Sequence, residues 1–349
     1  MILHVAHPDK FIPPFINLIN NNFPNQTHYF WLDSRSEKYV VDEHPNVYNA
    51  ENDSFGKWKA RALLVYKMHE ADKVILHGLF NDSLIKTLSL VPWLLPKCYW
   101  AIWGGDLYRG ENSEKITERR SNELLRTFVI KRLGHLVTYI AGDVELARHK
   151  YGAKGKHHEC LLYQSNTFAA PERGESQNKP EFSYINILLG NSADPSNNHI
   201  DALKKLLPYK AEPLRIYAPL SYGDAEHAEK VISVGKEWFG NKFIALTSFI
   251  QYEEYLDLLS TIDIAIFNHE RQQAMGNTIN LLGFGKTVFI NSDVSQARFL
   301  HELGITFCDA STFSLRTLPE IDLRKNKGIV NRYFSEANLI NQLAEIFRS

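Results

Sequence analysis

The sequence predicts an α/β protein built from two Rossmann-like domains that face each other across a central cleft. Three observations carry that prediction. The chain has 349 residues, enough for two domains at roughly 150 residues each. Short apolar runs alternate with longer amphipathic stretches, the rhythm of βα units on a parallel sheet. That rhythm is interrupted by a polar, proline-containing stretch over 169–182 and then restarts.

In the first half, apolar runs predict strands over 2–6, 28–32, 73–76, 98–103 and 136–141. Several are apolar almost throughout, as strands covered on both faces are. Helices are predicted over 13–21, 55–69, 83–90, 114–133 and 142–151. Beyond the linker, strands are predicted over 184–189, 214–218, 243–246, 262–267, 287–290 and 305–307. Helices follow over 195–207, 223–239, 251–260, 276–284 and 294–303, and a final amphipathic helix spans 335–347. The expected organisation is a first Rossmann-like domain over 1–168, a linker over 169–182, a second Rossmann-like domain over 183–330, and a terminal segment over 331–349 returning to the first domain.

Composition narrows the function. Apolar residues make up 44% and charged residues 23%, and 39 basic against 40 acidic side chains leave a formal charge of −1. This balance argues against a general nucleic-acid binder. No window holds the ~18 unbroken apolar residues of a spanning helix, and the start of the chain lacks the basic-then-apolar pattern of a secretory signal. A cytoplasmic location is the expectation. Cys98, Cys160 and Cys308 are too dispersed for a disulfide framework or a cysteine zinc site.

Ligands on parallel sheets bind beyond the carboxyl ends of the strands, so the loops there are the candidates. Gly190-Asn191-Ser192-Ala193-Asp194-Pro195-Ser196-Asn197-Asn198-His199 follows a strand. Asp194 and Pro195 fit an N-cap and first helical position, and small residues let the backbone approach a phosphate at a helix start. A well-capped helix without a ligand explains the same residues. The loop matches neither a Walker motif nor a dinucleotide fingerprint.

The segment 267–278 offers Arg271 as a phosphate fork and Gln272, Gln273, Asn277 and Thr278 as hydrogen-bonding groups around Gly276. Pro219, Ser221 and Tyr222 share the same rim, where a base or ribose could pack or an ordinary turn could form. In the first half, Trp103-Gly104-Gly105-Asp106-Leu107-Tyr108 follows an apolar strand. Asp106 is the first candidate for a general base, with a turn carboxylate as the competing role. Trp103 and Tyr108 could face a sugar ring or belong to the core. His77, in His77-Gly78-Leu79-Phe80-Asn81, is the second candidate base, and His4 to His7 end the first strand. No zinc motif and no D-x-D motif occur, so no metal and no cofactor are expected. Six basic residues between Lys115 and Arg132 describe either a solvated helix face or one resting on anionic lipid.

Taken together, Trp100–Tyr108, the HGLFN segment, Gly190-Asn191-Ser192-x-Asp194-x-Ser196-Asn197-x-His199 and Arg271-Gln272-Gln273-x-x-Gly276 resemble glycosyltransferase family 56, the 4-alpha-L-fucosyltransferase family of enterobacterial common antigen assembly. The similarity runs from about residue 77 to residue 291. It implies a GT-B fold, a donor nucleotide held mainly by the second domain, and a saccharide or lipid-linked acceptor at the inner face of the cytoplasmic membrane. The expected donor is a TDP-, GDP- or UDP-linked deoxyhexose. Many retaining GT-B enzymes carry two glutamates eight positions apart here; this chain has Glu270 and then Thr278. If the reaction inverts, a base must deprotonate the acceptor, and the diphosphate would rest on the amides of 191–197 and on Arg271 without a metal. The rival readings are a non-catalytic nucleotide-sugar or glycan-binding protein and a sugar-nucleotide epimerase.

Overall fold

The computed structural model describes residues 1–41, 44–50, 54–107, 116–168 and 184–348, with the side chains at 54–55 and 116–121 left aside. The linker over 169–182, Tyr108 and Lys115 lie outside the described residues, as do the side chains of Arg119 and Arg120.

The chain divides into two units, Met1–Ser165 with Leu339–Ser349, and Asn166–Asn338. The first contains β1 (Ile2–Ala6), α1 (Ile12–Asn22), β2 (His28–Leu32), β3 (Val47–Asn49), α2 (Ser54–Glu70), β4 (Lys73–His77) and α3 (Asp82–Leu90). It continues with β5 (Cys98–Ala101), α4 (Ile116–Ile130), β6 (His135–Val137), α5 (Ala141–Tyr151) and β7 (Lys156–His158). The second contains β8 (Ile185–Leu189), α6 (His199–Leu206), β9 (Leu214–Pro219), α7 (Ala225–Phe239), β10 (Phe243–Leu246) and α8 (Tyr252–Thr261). There follow β11 (Ile264–Phe267), α9 (Met275–Gly283), β12 (Thr287–Ile290), α10 (Ser295–Glu302), β13 (Cys308–Asp309) and α11 (Glu320–Tyr333). The last helix, α12 (Glu336–Arg348), carries most of its length back into the first unit. There Lys73 Nζ donates to the carbonyls of Ile346 and Phe347, satisfying two acceptors at the helix end.

Both sheets are parallel, ordered β3-β2-β1-β4-β5-β6-β7 and β10-β9-β8-β11-β12-β13. The central strands are buried along their whole length where the sequence is uniformly apolar, as in Ile264–Phe267, because helices cover both faces. In each sheet the chain winds outward, returns to the centre and winds the other way. The reversal falls between β1 and β4 in one sheet and between β8 and β11 in the other. Loops on either side of such a reversal diverge and leave a crevice at the carboxyl edge. In the first unit those are the loops beginning at His7 and Gly78; in the second, the loops beginning at Gly190 and Asn268.

Three elements were not expected from the sequence. Val47–Asn49 and Lys156–His158 are short and lack an apolar run, so only their place at the sheet margins makes them strands. Helix α11 buries only Asn326 and Val330, too little for an apolar stripe to show. The edge strand expected over 305–307 forms instead at Cys308–Asp309, where it pairs with Phe289 and Ile290.

Candidate functional site

In the first unit the expected bases turn out to be structural. Asp106 is 0% exposed. One carboxylate oxygen accepts from Leu79 N at 2.9 Å and Trp100 Nε1 at 2.7 Å, and the other from Trp103 N at 2.9 Å. Burial raises its pKa, opposed by the hydrogen bonds from Trp100, Leu79 and Trp103 and by the guanidinium of Arg126. Arg126 itself is buried and donates to Leu79 O at 2.5 Å and to Asp106 O. The pair ties the loops after β4 and β5 to α4, so Asp106 has no face turned to a substrate. Arg126 likewise leaves the basic helix face proposed for lipid; Lys131 and Arg132 remain exposed on that helix end.

His77 is also buried, with Nε2 at 3.0 Å from His4 Nδ1 and Nδ1 at 2.6 Å from the Tyr163 hydroxyl. Trp103 Nε1 donates to that same hydroxyl at 2.8 Å. An indole N–H can only donate. A second donor could share the Tyr163 oxygen, but among the described residues His77 Nδ1 is the only hydrogen-bond acceptor beside the hydroxyl, so the phenol proton goes to His77 Nδ1. His77 then carries its hydrogen on Nε2 and donates to His4 Nδ1, and His4 donates from Nε2 to His28 Nδ1 at 2.9 Å. His28 Nε2 ends the chain at Gln26 Oε1, 3.4 Å away. Tautomers here follow from donor and acceptor logic alone. Burial lowers the pKa of His77 to about 3, and burial with the nearby N-terminal ammonium lowers that of His28 to about 4, so the chain stays neutral. His77 therefore has no free nitrogen for an acceptor hydroxyl.

Gly78 and Gly104 sit at φ +77° and +79°, backbone that only glycine takes without strain. A Cβ on Gly78 would meet the Phe80 ring at 2.7 Å. Trp103 packs edge-on against Phe11, Phe80 and Tyr163, so much of its ring belongs to the core, while Gly105 is exposed.

A pair that sequence reasoning did not single out lies beside the reversal, with Asn81 reaching it from the other side. His7 Nδ1 is 2.8 Å from Asp33 Oδ1, and Asn81 Nδ2 donates to Asp33 Oδ2 at 2.6 Å. Their shared signal is position: each stands just past the carboxyl end of a strand.

In the second unit three loops converge. Ala193 N donates to Tyr222 O at 2.8 Å, and Ala193 bridges Gly223. Gln273 Nε2 donates to Asn191 Oδ1 at 3.1 Å, and Ser196 Oγ lies 2.9 Å from Gln273 Oε1. Arg271 Nη2 lies 3.1 Å from Asp194 Oδ2. Burial alone would raise the Asp194 pKa; hydrogen bonds from Ser196 and the Arg271 guanidinium outweigh it and leave the pKa lowered. Tyr222 is exposed, its hydroxyl 3.4 Å from Asn191 Nδ2. Ser221 is exposed too, whereas Pro219 is buried at the end of β9.

The expected phosphate cradle needs correction. The α-helix does not start at Pro195: a single 3-10 turn spans Pro195–Asn197, Asn198 takes a left-handed φ of +49°, and α6 begins at His199. The amides of Asn191, Ala193, Asp194, Ser196 and Asn197 are already used, by Asn197 Oδ1, Tyr222 O, Ser192 Oγ, Asp194 Oδ1 and Asp194 O. Asn197 is itself buried, its side chain bound to Asn191 N, His269 and Asp194 O. Gly190 is filled in from the same side, since a Cβ there would lie 2.6 Å from His199 Nε2.

The start of α9 is different. Its first-turn amides at Met275, Gly276 and Asn277 have no carbonyl within the helix to bond, and the N-cap residue, Ala274, has no side-chain group to cap them. Ala274, directly before, is held at φ +60°, a strain of about 1–3 kcal/mol of the kind that gathers at functional sites. Thr278 does not face outward: it is buried, donates to Ala274 O at 3.0 Å and accepts from Gln296 Nε2 at 2.9 Å. Asn277 Nδ2 donates to the Tyr255 hydroxyl at 2.9 Å, and Gln272 is half-buried beside Arg271. Among the described residues no group of three or more His, Cys, Asp or Glu could hold a metal ion, and no helix is long and apolar enough to cross a membrane.

Two parallel sheets, each with its reversal, are the architecture of GT-B glycosyltransferases, and solved structures agree. Anabaena HepE in complex with UDP and glucose superposes with a TM-score of 0.69 over 99% of each chain at 11% identity. A sucrose-phosphate synthase from Thermosynechococcus elongatus gives 0.64 at 9% identity over 99% of this chain and 98% of that one. WaaG, a glycosyltransferase involved in lipopolysaccharide biosynthesis, gives 0.56 at 9% identity over 99% and 93%. The family model described as 4-alpha-L-fucosyltransferase, glycosyl transferase group 56, matches residues 6–311, and the chain belongs to that family.

Proposed function

We propose that this protein transfers a fucose-like deoxyhexose from a nucleoside-diphosphate sugar to a hydroxyl of a saccharide or lipid-linked saccharide in bacterial surface glycan synthesis. Family membership and fold support glycosyl transfer. The observation that carries the donor site is the meeting of Arg271, Gln273, Asn191 and the exposed Tyr222 beside the uncapped start of α9. The free amides of α9 and the guanidinium face of Arg271 supply positive charge for a diphosphate, and Tyr222 supplies a flat surface for a base. HepE was crystallised with UDP-glucose, and its UDP complex shares this fold. The same positive groups stabilise the diphosphate as it leaves, which is the basis for proposing transfer without a metal. A cytoplasmic enzyme acting on a lipid-linked acceptor would meet it at the membrane surface.

The test is a panel of TDP-, UDP- and GDP-linked hexoses and deoxyhexoses, screened by the rise in melting temperature of the wild-type protein. A ligand of the folded state stabilises it by mass action. One nucleotide class should raise the melting temperature, and Arg271→Ala should abolish the rise. No shift with any member of the panel contradicts the proposal. A shift without nucleotide release on adding acceptors would favour a binding protein.

A further inference from the structure

We propose that His7 is the general base that takes the proton from the accepting hydroxyl, held in position by Asp33. The proposal rests on the glycosyl-transfer reading above and on inversion at the anomeric carbon. Its geometry stands independently of either.

His7 follows β1, and Asp33 follows β2 with its amide bonded to Ala6 O at 3.0 Å. Asn81 caps α3 just past β4, its own Oδ1 accepting from Ser83 N at 2.8 Å. The three residues thus lie on adjacent strands at the crevice between β1 and β4, where a ligand is expected on this topology. A carboxylate only accepts, so His7 donates from Nδ1 to Asp33 at 2.8 Å. In the neutral imidazole this bond places the hydrogen on Nδ1 and the lone pair on Nε2. Asn81 and Ser34 occupy further positions on the carboxylate, Asn81 at 2.6 Å on the other oxygen, so Asp33 cannot swing away. The His7 side chain is 63% exposed while that of Asp33 is 19% exposed. Proton-accepting nitrogen in the open and orienting carboxylate behind it is the arrangement that general-base catalysis requires. Neither Asp106 nor His77 offers an atom that an acceptor could reach.

In the step, the acceptor O–H gives its proton to His7 Nε2 while the oxygen bonds to the anomeric carbon. The bond from that carbon to the diphosphate breaks, its electron pair leaving with the nucleoside diphosphate. The resulting imidazolium is stabilised by Asp33.

Water serves as the acceptor in the test, so that no particular saccharide is required. Nucleoside diphosphate release is measured from each sugar nucleotide of the panel with wild-type protein, His7→Ala, His7→Gln and Asp33→Asn. His7→Ala should lower release by ~100-fold or more while keeping the donor-induced rise in melting temperature, and added imidazole should restore part of the rate. Asp33→Asn should lower kcat with little change in donor KM, and the His7 nitrogen signals in long-range 1H–15N spectra should shift toward mixed tautomers. Release by His7→Ala and His7→Gln within twofold of wild type overturns the proposal and leaves glycosyl transfer standing. Absence of release by the wild-type protein from every donor overturns the glycosyl-transfer reading, and the base with it.

Discussion

Trp103 Nε1 donates to the Tyr163 hydroxyl at 2.8 Å, at the head of a hydrogen-bonded line that runs on through three buried histidines. Burial pushes the Tyr163 phenol well above its ordinary pKa, so its single proton stays available to His77. Trp103→Phe removes a donor to that buried hydroxyl. The expected cost is about 1–3 kcal/mol, the penalty for leaving a buried polar group short of a partner, read from urea unfolding. In wild-type protein, 15N shifts should find the His77 proton on Nε2; a proton on Nδ1 would contradict the chain.

The same histidines make stability depend on pH. Below about 6.5 the unfolded chain binds protons at His4, His28 and His77. In the folded state His77 and His28 remain neutral until about 3 and about 4, and burial lowers His4 as well, helped by its two neighbours. The unfolded state therefore holds more protons across this window, and stability must fall as pH drops through it. Unfolding midpoints between pH 7 and pH 4 should decline, with a shallower slope when His77 is replaced by Gln. An equal slope in the variant would contradict the assignment.

Asp106 and Arg126 should behave as a structural unit. Arg126→Met takes the charged donor away from two buried carbonyls, Leu79 O and Asp106 O, and the expected loss is about 1.5–3 kcal/mol, visible as a lower melting temperature. Asp106→Asn should also destabilise, by about 2–3 kcal/mol through lost charge-assisted hydrogen bonds. If Asp106→Asn abolished turnover while leaving the melting temperature unchanged, the residue would belong to the chemistry after all.

Arg271 bears on donor affinity. Loss of a charged fork on a phosphate costs about 1.5–3 kcal/mol, so Arg271→Ala should weaken nucleotide-sugar binding by roughly 10- to 100-fold in calorimetry. Because Arg271 also holds Asp194 at 3.1 Å, Asp194→Asn serves as the control. It breaks the ion pair and should leave affinity within a few-fold of wild type.

Much of the fold was legible because fully covered parallel strands are apolar throughout. Strands 28–32, 243–246 and 287–290 coincide with their expected limits. Marginal strands such as Lys156–His158 owe their state to a neighbour's backbone, which composition does not reveal. The loops that meet in the second unit were also legible, since amide side chains and an arginine after apolar strands are visible in the text of the chain. The direction each group faces was not. Asp106 and Thr278 are polar residues in the right loops, yet both point inward to satisfy backbone and indole groups. Asn198 could not be foreseen as the left-handed break that moves the helix start from Pro195 to His199. His7 and Asp33, 26 positions apart, become partners only because β1 and β2 are adjacent and in register.

The central claim is that a donor diphosphate rests on the first turn of α9 and on Arg271. The most direct measurement is a titration of 15N-labelled protein with the sugar nucleotide selected by the panel, followed by TROSY spectra. The account predicts saturable shifts at the amides of Met275, Gly276 and Asn277 and at Arg271 Nε, with the internally bonded amides of Ser196 and Asn197 much less affected. Saturable shifts that leave 275–277 and Arg271 unmoved would contradict it.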